Sequence, residues 1–462
     1  MKINKLDVGP IIGATSNKSV RIFGRAKLEM SNGQPRRAHG VVRIREKDKG
    51  GFGKPRYFKM NPNFDMTGIA IVTGLSDKRT YEYQIGWIFS DVDTTVINVD
   101  KQLDWALLET YEFRAGSAKR TDSRNIVIGS CRYVLRLFGG QWFDDRGDKT
   151  FNSILKQETE GGGVDQVIMC GDQIYADDLN FLKADDALDE FNSRYRSVFR
   201  TKHLRRLMSR VPTYMTLDDH EIEDNWPEGA DQKDWITKFP AAIHAFSTYQ
   251  LSHSPLFRVS KQKLAGTPTH LWYNYEDGCC EFFVCDTRTE RWLDSANREI
   301  LGPRQLKALI AWLKKDTGQV KVIVTSVPFY ESESNDKWHG FIDQRDEILE
   351  TIRKFNIKRV VFVSGDVHAS MATELINTTS PKFKVISIIS SPFFWPYPHP
   401  KRRSFKRKNA IVTNTNETYE VKAGSKVHAT DSFVRLEIDR KGVAVGFYGR
   451  KGKLLEETSF SF

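Results

Sequence analysis

Gln166-Val167-Ile168-Met169-Cys170-Gly171-Asp172-Gln173-Ile174-Tyr175 is the stretch on which the fold is decided. Its apolar run is too short for a helix and stops at a glycine, as a buried strand does. An aspartate and a tyrosine follow at once, where an ordinary turn would carry only small polar residues. The same pattern occurs three more times. Ile126-Val127-Ile128-Gly129 runs into Ser130-Cys131, Tyr214-Met215-Thr216-Leu217 into Asp218-Asp219-His220-Glu221, and Val360-Val361-Phe362-Val363 into Ser364-Gly365-Asp366-Val367-His368. Ligands of an open α/β sheet bind at the carboxyl ends of its strands, so these four ends are expected to gather at one edge.

Outward from this stretch, Thr213–Leu217, His270–Tyr275, Glu281–Cys285, Val320–Thr325, Arg359–Val363 and Lys384–Ile389 read as further strands. Helical patterns separate them. Leu188, Phe191, Tyr195, Val198 and Phe199 share one face, as do Leu306, Leu309, Ile310 and Leu313 after Pro303, and Ile348, Leu349 and Ile352. Strands alternating with helices predict an α/β domain, residues 119–462, closed by a hairpin of Phe433–Ile438 and Val443–Tyr448. Residues 1–118 read differently. Ser19–Ala26, His39–Glu46, Arg56–Asn61, Gly68–Leu75, Thr80–Phe89 and Trp105–Arg114 are strands broken by Gly and Pro, which predicts a β-sandwich. Leu75–Tyr83 resembles the tyrosine corner of immunoglobulin and fibronectin type III sandwiches. The polar stretch Gly116–Arg124 is the expected linker.

Composition narrows the function. In 462 residues, 70 basic and 59 acidic side chains leave a net charge of +11, which favours anionic partners. With 39% hydrophobic residues the chain can bury a core, and no apolar run reaches the ~20 residues that span a bilayer. Met1-Lys2-Ile3-Asn4-Lys5 lacks an apolar leader and a twin-arginine pair, so a cytoplasmic or peripheral location is expected. Five cysteines suit reduced thiols better than a disulfide framework. Lys401–Lys408 carries six basic residues in eight, just after the aromatic run Ser391–Pro400. Ser391–Lys408 can therefore dock an anionic lipid surface or gate a pocket, or be a solvated loop. No nucleic-acid module is recognisable.

Carboxylates crowded at strand ends repel one another unless a cation sits among them. Asp366 and His368, two apart on extended chain, point to one side. Carboxylate, imidazole, phenol and thiol together suggest two different metals.

In order along the chain, Gly129-Ser130-Cys131, Gly171-Asp172-Gln173-Ile174-Tyr175, Asp218-Asp219-His220-Glu221 with Asn225-Trp226, Asp286-Thr287-Arg288, Leu301-Gly302-Pro303-Arg304-Gln305, Ser326-Val327-Pro328-Phe329 and Ser364-Gly365-Asp366-Val367-His368 resemble the alkaline phosphatase D (PhoD-like) family of calcineurin-type metallophosphoesterases. Gly9–Ala14 leading into Ser19–Phe23 extends the likeness to the N-terminal domain. The resemblance implies an immunoglobulin- or fibronectin-like β-sandwich followed by a four-layer αββα domain. It also implies Fe3+ held by Cys131, Tyr175 and the bridging Asp172, and Ca2+ or another divalent ion held by Asp219, Asp366 and His368, with Asp218 beside them. His220 would protonate the leaving group or contact the phosphoryl oxygen, and Asn225 and Arg288 would lie around the substrate. Asp224 stands where many members carry asparagine. The implied reaction is hydrolysis of a phosphate mono- or diester by a metal-activated hydroxide. A phospholipase D-like or nuclease phosphodiesterase, or a catalytically silent surface-binding protein, are the alternatives.

Overall fold

A computed structural model describes residues 1–93, 97, 99–134, 136–137, 142–177, 184–294, 296, 298–380 and 383–462. In the N-terminal part, β1 (Val8–Thr15), β2 (Ser19–Arg25), β3 (Ala38–Glu46), β4 (Arg56–Met60), β5 (Thr67–Thr73), β6 (Thr80–Phe89) and β7 (Tyr111–Arg114) make two antiparallel sheets. One has the order β1-β2-β5 and the other β4-β3-β6-β7. Val20, Ile22 and Val72 of the first share a core with Val42, Phe58, Tyr83 and Trp87 of the second. Apolar side chains at alternate positions of both sheets face inward, so water leaves the space between them. The Ser76 amide donates to the Tyr81 hydroxyl at 2.8 Å, the loop tie expected of a tyrosine corner. The strand expected over Trp105–Arg114 is only Tyr111–Arg114, because the preceding residues turn away to cover Ile3 and Val41.

The rest of the chain builds two larger sheets. First come β8 (Arg124–Gly129), β9 (Gln166–Cys170) and β10 (Thr213–Thr216). Next are β11 (Tyr273–Asp277), β12 (Cys280–Val284), β13 (Val320–Val324), β14 (Val360–Ser364), β15 (Met371–Asn377), β16 (Lys384–Ile389), β17 (Ala410–Val412) and β18 (Thr418–Ala423). The last strands are β19 (Ser432–Ile438), β20 (Gly442–Gly449) and β21 (Leu454–Ser461). The six-stranded sheet runs β10-β9-β8-β19-β20-β21, and the eight-stranded sheet β11-β12-β13-β14-β16-β15-β18-β17. Ile128, Ile168 and Val434 of one share a core with Val322, Val361 and Ile386 of the other. Helices α1 (Arg146–Glu160), α2 (Leu188–Phe199), α3 (Lys202–Met208) and α4 (Phe239–Phe246) belong to that same core. Helices α5 (Pro303–Lys314) and α6 (Ile342–Lys354) cover Phe283, Ile323 and Phe362 on the opposite face of the eight-stranded sheet.

This arrangement corrects one expectation. The four ligand-bearing strand ends do not line one edge, for β8, β9 and β10 lie in one sheet and β14 in the other. All five cysteines are free and buried. Among the described residues, no helix is long and apolar enough to cross a membrane.

Candidate metal centre

Tight turns bring the strand ends together. Cys131, Asp172, Asp366 and His368 all have positive φ, between 51° and 69°, and so does Asn225 at 59°. Such backbone is strained by roughly 1–3 kcal/mol per residue and persists only where the surroundings enforce it. Hydrogen bonds supply the enforcement. The Cys131 and Arg132 amides donate to the carbonyls of Gly171 and Asp172 at 3.2 and 2.8 Å, and the Asp366 amide donates to Ser130 Oγ at 3.2 Å. Gly171 and Gly365 permit the close approach: a Cβ on Gly171 would lie 2.4 Å from that of Asp218, and one on Gly365 2.2 Å from Ser130 Oγ.

Cys131 is wholly buried, and its thiol donates to Asp172 Oδ2 at 3.2 Å. Ligand atoms of Asp172, Asp219 and His220 lie within 4.8 Å of one another, and so do carboxylate oxygens of Asp218, Asp219 and Asp366. Asp219 is common to both groups, which makes one cluster of them. Cys131 and His368 stand outside these two groups. Tyr175 packs against the His220 ring at 4.3 Å. The two nitrogens of His220 are distinct: Nδ1 is 2.7 Å from Asp177 Oδ2, and Nε2 is 3.9 Å from Asp224 Oδ1. The Asn225 amide donates to Asp219 Oδ2 at 2.7 Å, while its side chain donates to Asp224 at 3.2 Å.

Arg288 is fully enclosed. It donates to Asp218 through Nε and to Asp336 through both terminal nitrogens, and Nη2 is 3.5 Å from Asp219. This placement braces carboxylates. Lys337 forms ion pairs with Asp336 and Asp366. No spacing in the sequence singles out Asp336 or Lys337, which lie in an irregular loop. Glu221, adjacent to His220 in sequence, holds the turns together. Its Oε2 accepts from the amides of Asp172 and Asp218 at 3.0 and 2.8 Å, and its Oε1 from the amide of Gln173 at 2.7 Å and Gln250 Nε2 at 3.0 Å.

The electrostatics are those of acids short of positive charge. Burial, with Asp218, Asp219 and Glu221 close by, pushes Asp172 far above the usual carboxylate range. Burial and the same neighbouring aspartates, only partly offset by Lys337, raise Asp366 to about 7. Asp219 is the exception: burial works against its charge, but Arg288, His220 and Lys337 hold it at about 2. Burial raises the Cys131 thiol and the Tyr175 phenol, and it lowers His368 to about 3, leaving a neutral imidazole. His220 moves upward, because Asp219 and Asp172 outweigh its burial. Asp172 Oδ1, Tyr175 OH, Asp218 Oδ2 and Asp219 Oδ1 are all buried without a hydrogen-bond partner. Buried polar atoms are rarely left so, and four oxygen donors of this kind around one cluster fit cation binding.

The profile of the PhoD-like phosphatase family matches residues 135–443. The chain belongs to the PhoD-like phosphatase family. Alkaline phosphatase D of Bacillus subtilis (strain 168) is 28% identical over 218 residues, which cover 41% of this chain and 36% of that relative. The match thus spans little more than a third of the relative's length. Among solved structures, one titled as the structure of PhoD superposes with a TM-score of 0.72 at 17% identity, covering 99% of this chain and 89% of its own. A purple acid phosphatase, PPD1 from yellow lupin (Lupinus luteus) seeds, superposes at 0.63 with 14% identity, covering 98% and 74%. At these identities the two structures establish a shared fold. Across that fold, Cys131, Asp172, Asp219, Asp366 and their neighbours occupy the carboxyl ends of the strands of this PhoD-like chain.

Proposed function

We propose that this protein hydrolyses phosphate mono- or diesters at a two-metal site of the Fe3+/Ca2+ type. The observation that carries the reading is the set of four buried oxygens without hydrogen-bond partners, on Asp172, Tyr175, Asp218 and Asp219. Cys131, Tyr175 and Asp172 would hold the harder, trivalent ion, with the thiol and phenol entering as anions. Asp219, Asp366 and His368, with the free oxygen of Asp218, would hold the divalent ion. Such cations, when bound, polarise a phosphoryl oxygen and acidify a water.

The remaining work falls to the chain itself. Asp177 fixes the His220 ring through Nδ1, which leaves Nε2 to meet the leaving oxygen. General acid help of this kind contributes ~10²–10⁴-fold. Arg288 and Lys337 act as positioning residues, each holding carboxylates in place by charge-assisted bonds. Asn225 and Asp224 flank His220 and would meet the ester. The same reading takes residues 1–118 as an immunoglobulin- or fibronectin-like sandwich and residues 119–462 as a four-layer αββα catalytic domain; the sandwich interior has a core of its own, while Val8, Ile11 and Phe23 join the core of the larger part. Lipid-borne diesters are a second reading, favoured by the exposed basic residues 401–403 beyond Trp395.

The test is turnover of a chromogenic monoester, a chromogenic diester and phospholipid vesicles by protein of measured metal content, beside Asp172→Asn. The variant should lose both metal and activity. Full turnover with normal metal would remove Asp172 from the centre, and no turnover of any substrate by metal-loaded protein would refute the enzyme reading.

A further inference from the structure

One rim of the centre is aromatic. The Trp395 ring lies 3.9 Å from that of His368 and 5.8 Å from that of Tyr175, so it touches side chains proposed for both metal positions. Tyr133 and Tyr397 continue the wall, their rings 5.8 and 5.1 Å from Trp395, both edge to face. Trp395 is half-buried and Tyr397 is 37% exposed, whereas the acids beside them are enclosed. The wall therefore spans the step from buried charge to solvent.

Its position is fixed by backbone bonds. Phe393 and Phe394 donate to the carbonyls of Ser130 and Cys131 at 2.8 and 3.3 Å, and Tyr133 donates back to Phe394 at 3.1 Å. The Trp395 amide donates to Asp431 Oδ1 at 3.0 Å. The segment that carries Trp395 is thus tied to the turn that carries Cys131. A platform held this way loses little conformational freedom when a ligand stacks on it.

We propose that Trp395 and Tyr397, backed by the enclosed Tyr133, form a subsite for the leaving group of the ester, and that it selects leaving groups bearing a planar aromatic ring, such as phenols and nucleosides. The proposal rests on the carboxylate cluster being the phosphoryl site. A phosphoryl group seated among Asp172, Asp219 and His220 can extend its ester substituent along the Trp395 wall, where it meets π-faces. Stacking on such faces is favourable for any planar ring and much weaker for a small alkyl group. A wall that served only to exclude water would instead help every ester equally.

The experiment is calorimetric titration of the metal-loaded protein with phenylphosphonate and with methylphosphonate, which are not hydrolysed and so read the subsite without turnover. Wild type should bind phenylphosphonate about tenfold more tightly than methylphosphonate. Trp395→Ala should erase that preference and Trp395→Phe should keep most of it. In parallel, KM ratios for phenyl phosphate and a nucleoside monophosphate against glycerol phosphate should rise about tenfold in Trp395→Ala, and the two aromatic esters separate a phenolic from a nucleoside preference. Equal affinity of wild type for the two phosphonates would overturn the proposal. So would a variant that weakens both alike. Turnover failing while the phenyl preference stands would sink the hydrolase reading and leave the subsite.

Discussion

Replacing Glu221 by glutamine tests what holds the centre together. At pH 8, above the value of about 7 to which burial lifts this acid, its carboxylate is charged and accepts four hydrogen bonds. Glutamine can keep only one acceptor oxygen. If that oxygen stays at the Oε2 position, the amides of Asp172 and Asp218 keep a partner but lose the charge, at about 1 kcal/mol each. The new NH2 group then faces two donors. One conflict resolves itself: Gln250 Oε1 has no partner, so its amide can flip, and Tyr195 OH, now 3.0 Å from Nε2, can donate to the oxygen that takes its place. The Gln173 amide remains buried and unsatisfied, which costs about 1–3 kcal/mol. Glu221→Gln should therefore destabilise the region by about 3–5 kcal/mol. Glu221→Ala strands three backbone amides and should approach the whole stability of a domain, ~5–15 kcal/mol. Hydrogen exchange read by mass spectrometry over residues 170–175 and 216–222 reports this locally, which suits a chain whose parts need not unfold together. Unchanged exchange in Glu221→Gln would show that the carboxylate does not hold these turns.

Two further outcomes follow from the structure. If the proposed iron site is right, Cys131→Ala should lower iron occupancy by elemental analysis, and its stability loss, about 1–2 kcal/mol, should be that of a small buried side chain; unchanged iron would leave the thiol a packing group. Asp65 accepts from Arg25 at 2.7 Å, from Arg196 at 2.7 Å and from Tyr249, tying the turn between β4 and β5 to α2 and to the segment after α4. Burial opposes its charge, but these donors prevail and its pKa is lowered. Its contribution is thus complete above the unfolded value of ~3.9 and is lost as pH falls through the depressed folded value. Wild type should exceed Asp65→Asn by about 2–4 kcal/mol near pH 7 in urea unfolding, and the gap should close only well below pH 4. A gap that closes already near pH 6 would point to another group.

Much of the fold can be read from sequence where burial and turn chemistry agree. Thr80–Phe89, Gln166–Cys170 and Lys384–Ile389 are strands with the expected bounds, and Leu188–Phe199 is the expected helix. Elsewhere local signals conflict with tertiary ones. Val8–Thr15 is a strand despite Gly9, Pro10 and Gly13, because it is an edge strand and Gly9-Pro10 sit in a register irregularity, where proline is tolerated. Leu454–Ser461 carries polar residues at an exposed sheet edge and has no core-facing run. The centre divides in the same way. Cys131, Asp172, Asp219 and Asp366 follow buried strands, so their convergence is legible. Arg288 was expected around the substrate, yet it lies enclosed among aspartates. Asp336, Lys337 and Trp395 come from irregular segments whose paths only packing determines, and Glu221 looks like a first-turn acid until its backbone partners are seen.

The central strand β8 has β9 on one side and β19 on the other, pairing Arg124 with Ile438 and Ile128 with Val434. Its second neighbour comes from the far end of the sequence. During synthesis, then, the strand that leads into Cys131 carries an open, apolar edge until Ser432–Ile438, far downstream, has also left the ribosome. Loading of the centre with metal has to wait for that late annealing, and any ion captured earlier would be held by a partly assembled set of donors.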